Sequence, residues 1–275
     1  MSLVACGGCR QGTARGDDSG SLEIVYRIDA VRPPTHFSLR IPKVGDAELD
    51  LWAPLATARP DLLGRFRAPV ADRASLVRWV EGQNLMERSA GPSATAEGSG
   101  TVELSLGGRR AVIGLADADP GVGRLRAMLD AVAAKTSQHH VAAVRASLSV
   151  VRSSPVEVRA TAFLTHVGTE PLQLVFAEPS PARLAELVFR GGGGRELGRV
   201  FAPRGTLDAQ GADAALAGGI ETFGPGRAIE IPFLAVAIPA GAVQVELHIS
   251  VGVPLEGLAR TSMDLAVTTA LPAAQ

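Results

Sequence analysis

Ser137-Gln138-His139-His140-Val141-Ala142-Ala143-Val144-Arg145-Ala146-Ser147-Leu148-Ser149-Val150-Val151 decides how this chain is divided. A helix predicted from about Val122 to Ser137, with Leu125, Met128, Leu129 and Val132 on one face, runs into it. After Ala142 the helical period disappears, and a strand is predicted over 144–151. Downstream, further strands are predicted over 156–166, 171–177, 185–190, 197–202, 228–236, 242–251 and 261–270. Clusters such as Gly191 to Gly194, Gly224-Pro225-Gly226 and Pro239-Ala240-Gly241 separate them. Many short strands with such turns indicate an antiparallel β-sandwich. No cysteine lies in this half, so aliphatic contacts of residues such as Val158, Leu172, Leu174, Val188, Ile231, Val245, Leu247 and Leu265 must hold its sheets.

Upstream the pattern is mixed. Leu22, Ile24, Tyr26 and Ile28 keep a period of two that returns at Phe37, Leu39 and Ile41, predicting two strands joined through Pro33-Pro34. A third strand is expected around Glu48 to Trp52, then a loop carrying Pro54 and Pro60. From Ala71 to about Arg88, Leu76, Val77, Val80 and Leu85 fall at helical spacing, with Asp72 as N-cap. Val102-Leu104-Leu106, Gly107-Gly108 and Ala111-Ile113-Leu115 read as a hairpin, paired glycines suiting the positive backbone angles of a tight turn. The expected organisation is therefore a tail over 1–20, an α+β domain over 21–140 (an antiparallel sheet with two helices on one face) and an all-β sandwich over 144–272. The segment Pro203 to Arg227, rich in Gly and Ala and expected to hold a short helix at Ala212 to Ala217, is long for a connection inside a sandwich.

Composition narrows the function classes. The chain has 275 residues, 46% hydrophobic and 20% charged, with 27 basic residues against 28 acidic ones and a net charge of -1. That balance rules out a disordered chain and speaks against a protein that coats nucleic acid. Aromatics are 4%, and the 18 basic residues before position 148 face 16 acids while the nine after it face 12, so no basic face with interleaved aromatics emerges for nucleic acid. No apolar run reaches the roughly 18 residues of a membrane helix. Only Lys43 and Lys135 are lysines, while Ala occurs 44 times, the mark of a GC-rich genome.

Both cysteines, Cys6 and Cys9, lie in the small, polar N-terminal tail. Leu3-Val4-Ala5-Cys6 matches the end of a lipoprotein signal, with Cys6 as the lipidation candidate and the tail as tether. The charged and apolar segments that precede such a cysteine are missing, so this reading expects a truncated signal. A C-x-x-C pair also suits a disulfide or two metal-bound thiolates, but no second pair follows and no strand-to-helix context surrounds it. The third reading is two incidental thiols.

No motif specifies a reaction. His-Glu-x-x-His, Gly-x-Ser-x-Gly and a Walker loop are absent, so no cofactor is expected, and Gly191 to Gly194 is a plain turn. Asp117 and Asp119 read as a helix-capping turn rather than a calcium loop. His139-His140 mark an exposed helix end. His166 and His248, with Glu246 two residues from His248 on the same strand face, make a geometrically conceivable metal site. Arg65, Arg67, Arg73 and Arg78 read as the solvated side of the first helix, with Glu81 in pairing range, and Trp52 and Trp79 as core or near-core.

Residues 144–271 resemble an immunoglobulin-like sandwich, with Val158 to Leu174 and the turn Val167-Gly168-Thr169-Glu170-Pro171 similar to a strand pair of bacterial extracytoplasmic domains. Residues 21–137 resemble in element order small α+β domains of uncharacterised bacterial secreted proteins and lipoproteins, on the opening hairpin, the helix ending at Leu85-Met86, the Gly107-Gly108 turn and the closing helix. The resemblance implies a protein of the bacterial cell envelope or periplasm and supplies no catalytic residues to carry over. The expectation is a non-enzymatic binding or scaffolding protein, meeting another protein or an envelope component and held to the membrane only through Cys6; an inhibitor of peptidases is one variant. The alternative is a hydrolase or metal-dependent enzyme whose site is assembled from distant residues.

Overall fold

Alternation of apolar and polar residues builds most of this chain into strands, and two helices complete it. The computed structural model describes residues 22–31, 34–52, 61–87, 100–115, 119–175, 185–202, 220–255 and 258–273. The first half contributes β1 (Glu23–Val31), β2 (Pro34–Ile41), β3 (Ala47–Leu51), β4 (Leu62–Ala68), α1 (Arg73–Gly82), β5 (Thr101–Leu106), β6 (Arg109–Gly114) and α2 (Pro120–Thr136). The second contributes β7 (His140–Ser154), β8 (Glu157–His166), β9 (Leu172–Val175), β10 (Ala185–Gly191), β11 (Glu196–Phe201), β12 (Ile220–Phe223), β13 (Ala228–Ala237), β14 (Ala242–Leu255) and β15 (Leu258–Ala270).

Local signals explain the helices. Asp72 caps α1 by accepting from the Ser75 N–H, and Asp119 caps α2 by accepting from the N–H groups of Gly121 and Val122, with Pro120 opening the first turn. Asp117 lies outside the described residues. Gly107 and Gly108, at φ of 56° and 78°, close the two-residue turn between β5 and β6.

The strands form two antiparallel sheets. Nine follow the order β13-β8-β7-β4-β3-β2-β1-β5-β6; in the other, β11-β10-β14-β9-β12 make the path and β15 pairs with β14. The boundary expected between residues 140 and 144 falls at the start of β7, whose residues 140–145 pair with β4, so one sheet runs across it. Two segments depart from expectation. The loop expected between Trp52 and Ala71 holds β4, and the long connection after Pro203 ends in β12; its Ala212 to Ala217 helix lies outside the described residues.

β4 was hidden from periodicity because its first residues, Leu62 and Leu63, are buried on opposite faces, although Arg65 and Arg67 further along stand exposed. Leu62 and Phe66 join the cluster beneath α1 and α2, with Tyr26, Leu39, Leu76, Val80 and Leu125. Leu63, pointing the other way, joins Trp52, Val144, Leu164, Leu187 and Leu247 in the cluster shared by the two sheets. The start of β7 divides likewise, Ala143 on the helix side and Ala142 and Val144 on the other. The nine-stranded sheet thus carries helices on one face at one end and the second sheet on the opposite face at the other. Tyr26 pins α2 down, its hydroxyl donating to Asp130 Oδ1 at 3.0 Å; burial and that carboxylate push the phenol well above its ordinary pKa.

Candidate functional site

Strand alternation places the three predicted metal-site residues. Leu247 is wholly buried in the shared core, so its neighbours Glu246 and His248 point out of the six-stranded sheet, with His248 Nε2 3.3 Å from Glu246 Oε1. His166 ends β8 on the inner face of the other sheet, buried beside Phe223 with ring centroids 5.9 Å apart. The pair and His166 therefore lie on different surfaces. Among the described residues no group of three or more His, Cys, Asp and Glu side chains could hold a metal ion. The expected approach of His166 to His248 is corrected by this parity: one side chain faces the core between the sheets, the other leaves it.

Around Glu246 and His248 the outer face of the six-stranded sheet is a charge lattice. Arg190 Nε donates to Glu246 Oε2, and Arg190 Nη1 to the Gly194 carbonyl at 3.1 Å. Arg199 Nη1 reaches Glu186 Oε1 at 2.8 Å, and its Nη2 reaches Glu196 Oε2 at 3.1 Å. Burial alone would raise the Glu246 pKa, but the bonded Arg190 guanidinium and nearby His248 outweigh it and hold the carboxyl below its usual range. Val188, which pairs with Glu246 on one side and Arg199 on the other, is 1% exposed on this face, a burial that the stems of long charged side chains can provide. This lattice spends its charges on one another.

A second set of pairs crosses the open face of the nine-stranded sheet. Arg65 faces Asp50 at 3.5 Å, Arg67 faces Glu48 at 3.6 Å, Arg40 faces Glu23 at 3.0 Å and Arg110 faces Glu103 at 2.6 Å. Arg65 and Arg67 are thus cross-strand partners on β4 and not the solvated side of α1. Arg73 donates to the Pro42 carbonyl and, at 2.6 Å, to that of Gly45; Arg78 donates to Ser75 Oγ rather than pairing with Glu81. His140 opens β7 and packs edge-on against Phe66, centroids 5.7 Å apart, so it is no exposed helix end. Trp52 is buried in the shared core, and Trp79 packs partly buried against the helix-side core. Cys6 and Cys9 lie outside the described residues.

The feature that sequence reasoning missed is at one end of the molecule. Among the described residues six large hydrophobic side chains stand exposed, and four of them, Val151, Val156, Leu234 and Val243, belong to neighbouring segments there. The Ile238 N–H donates to the Val156 carbonyl at 2.8 Å, tying the end of β13 to the β7–β8 turn. Arg152 Nη1 donates to the Pro272 carbonyl at 2.8 Å, and the Leu271 N–H to that of Val243 at 3.0 Å, which brings in β14 and the segment after β15. Between the β7–β8 turn and the segment after β15 lies a groove of about 500 Å³ lined by Val150, Val151, Arg152, Pro155 and Pro272. An exposed apolar gathering of this kind usually marks a contact surface. Its only sequence signal was Leu234-Ala235 breaking the alternation of β13.

No protein family matches this sequence, and no curated protein matches it. One solved structure with partial likeness is the penta-heme cytochrome c552 from Thermochromatium tepidum, at 12% identity and a TM-score of 0.25, over 45% of this chain and 39% of that one. Among the described residues no helix is long and apolar enough to cross a membrane.

Proposed function

We propose that this is a non-enzymatic binding or scaffolding protein of the bacterial cell envelope, working through a surface and not through a catalytic pocket. In this reading residues 21–140 form an α+β unit and 144–272 an immunoglobulin-like sandwich, joined along β4 and β7, with Cys6 as lipid tether. The observation that supports it most is the apolar end made by Val151, Val156, Leu234 and Val243. Leaving four such side chains in water forgoes roughly 1.5–3 kcal/mol for each that could be buried, and a protein partner recovers that energy on binding. The paired charges on both sheet faces support the same reading, because carboxylates and guanidiniums already joined to each other are poorly placed for acid–base work.

The test uses the full-length gene product in its own host, with a photoactivatable amino acid in place of Val156 and, as control, in place of exposed Val44. A discrete adduct formed from position 156 and absent from position 44 is expected. Equal labelling from both positions would remove the surface from the proposal. In the same cells Cys6→Ser is expected to leave the membrane fraction, and a soluble wild-type protein with an unmodified Cys6 would end the tether.

A further inference from the structure

We propose that the bulged stretch of β13 is a docking site for a segment of a partner protein carrying a carboxylate flanked by aliphatic side chains; this rests on the reading of the molecule as a binding protein. Phe233 pairs with Ala160 and Val236 with Val158, so Leu234 and Ala235 stand opposite the single residue Arg159. From the other side Val151 stands opposite Arg159. Val151, Arg159 and Leu234 therefore make one row across three strands, on the face turned away from the shared core. Leu234 is 71% exposed and Val151 62%.

Two features say that the row is built for side-chain recognition. The bulge sets Ala235 at φ 51°, a conformation that a residue with a side chain disfavours, and it turns two successive residues of an edge strand outward. The backbone edge is blunted. The His166 backbone N–H donates to the Arg227 carbonyl at 2.8 Å, and alternation from that pair points the backbone N positions of 228, 230 and 232 away from β8. Pro232 has no N–H to offer there, so an added strand would lack a central bond.

Charge selects the partner. Among the described residues Arg159 makes no hydrogen bond or ion pair, whereas nearby Glu157 accepts from Ser153 Oγ at 2.9 Å and Arg152 is bonded to backbone carbonyls. An unspent guanidinium between two exposed aliphatics is complementary to a carboxylate between two aliphatics. A second copy, docked about a two-fold axis centred on this row, would bring two Arg159 guanidiniums together.

The experiment is selection of a phage-displayed random peptide library on the full chain, then titration of a synthetic winner against wild type and variants. Expected are peptides with Asp or Glu flanked by Leu, Ile or Val, whose binding weakens roughly tenfold in Arg159→Gln and again in Leu234→Ser, and falls when the peptide acid becomes its amide. Unchanged melting temperatures verify that both variants fold. Apolar peptides that need Leu234 but ignore Arg159→Gln would overturn the partner chemistry and leave the binding surface standing. Peptides indifferent to Leu234→Ser would overturn both. A concentration-dependent dimer in light scattering that is lost in Leu234→Ser would assign the row to a second copy and overturn the proposal.

Discussion

His166 illustrates how a single residue's surroundings differ from what its type suggests. Its Nδ1 accepts from the Gly168 N–H at 3.2 Å, while its Nε2 is buried without a partner. Burial lowers its pKa from the ordinary 6.5, outweighing a backbone hydrogen bond at Glu170 that favours the charged form. The native state thus prefers neutral imidazole, and the unfolded chain takes up the proton first as pH falls. This contribution to stability is complete above pH 6.5 and is lost as pH falls through that value towards the native pKa. Thermal melting between pH 7.5 and pH 5 is expected to show a steeper acid-side decline in wild type than in His166→Leu, whatever their absolute stabilities. Parallel curves would remove His166 from the account. None of this was readable from sequence, where a histidine on a predicted strand carries no indication of which face it will take.

At the scale of elements, β4 and β7 carry the design. Gly64, at φ 142°, lets β4 approach β7 so closely that a Cβ there would lie 2.3 Å from the Ala142 carbonyl oxygen and 2.4 Å from Ala143 Cα. These are backbone atoms that no rotamer change relieves. Gly64→Ala is expected to cost about 3 kcal/mol or more, combining strain with loss of the register to β7. Chemical denaturation measures it, and a change below about 1 kcal/mol would show that the strands separate without penalty. As a control, Gly82→Ala, where a Cβ would meet nothing within 4 Å, is expected to be close to neutral. The elements with one wet face were legible: β1, β2, both helices and the β5–β6 hairpin stand near their predicted positions, as do the strands of the second half. β4 was not, since burial of its first residues on both faces sets Leu62 and Leu63 side by side and masks the alternation that runs on through Arg65, Phe66 and Arg67, and its glycine reads as a loop signal.

For the whole molecule, the consequence is coupling. The two cores lie on opposite faces of one sheet and share β4 and the start of β7, so neither can lose its packing while the other keeps all of its strands in place. Each core has its own tryptophan, Trp52 between the sheets and Trp79 beside the helices. The single-tryptophan variants Trp52→Phe and Trp79→Phe, followed by fluorescence in denaturant, are each expected to lose structure at the midpoint seen by circular dichroism of that same variant. Separated midpoints within one variant would mean that the cores unfold independently.

Behind the even balance of 27 basic against 28 acidic residues, several of the described charges are organised into cross-strand pairs on two sheet faces. The amino-acid sequence by itself determined what depends on near neighbours: helix caps, the glycine turn, the period of each half-buried strand and the absence of local catalytic motifs. Tertiary structure alone decided what depends on distant partners. It put His166 on a different surface from Glu246 and His248, buried the start of β4 on both sides, and set Leu234 and Val151 on either side of Arg159. The physical reason is that alternation reports only that one face is buried, whereas which strand lies opposite, in which register and under which layer, is set by packing between residues up to a hundred or more positions apart.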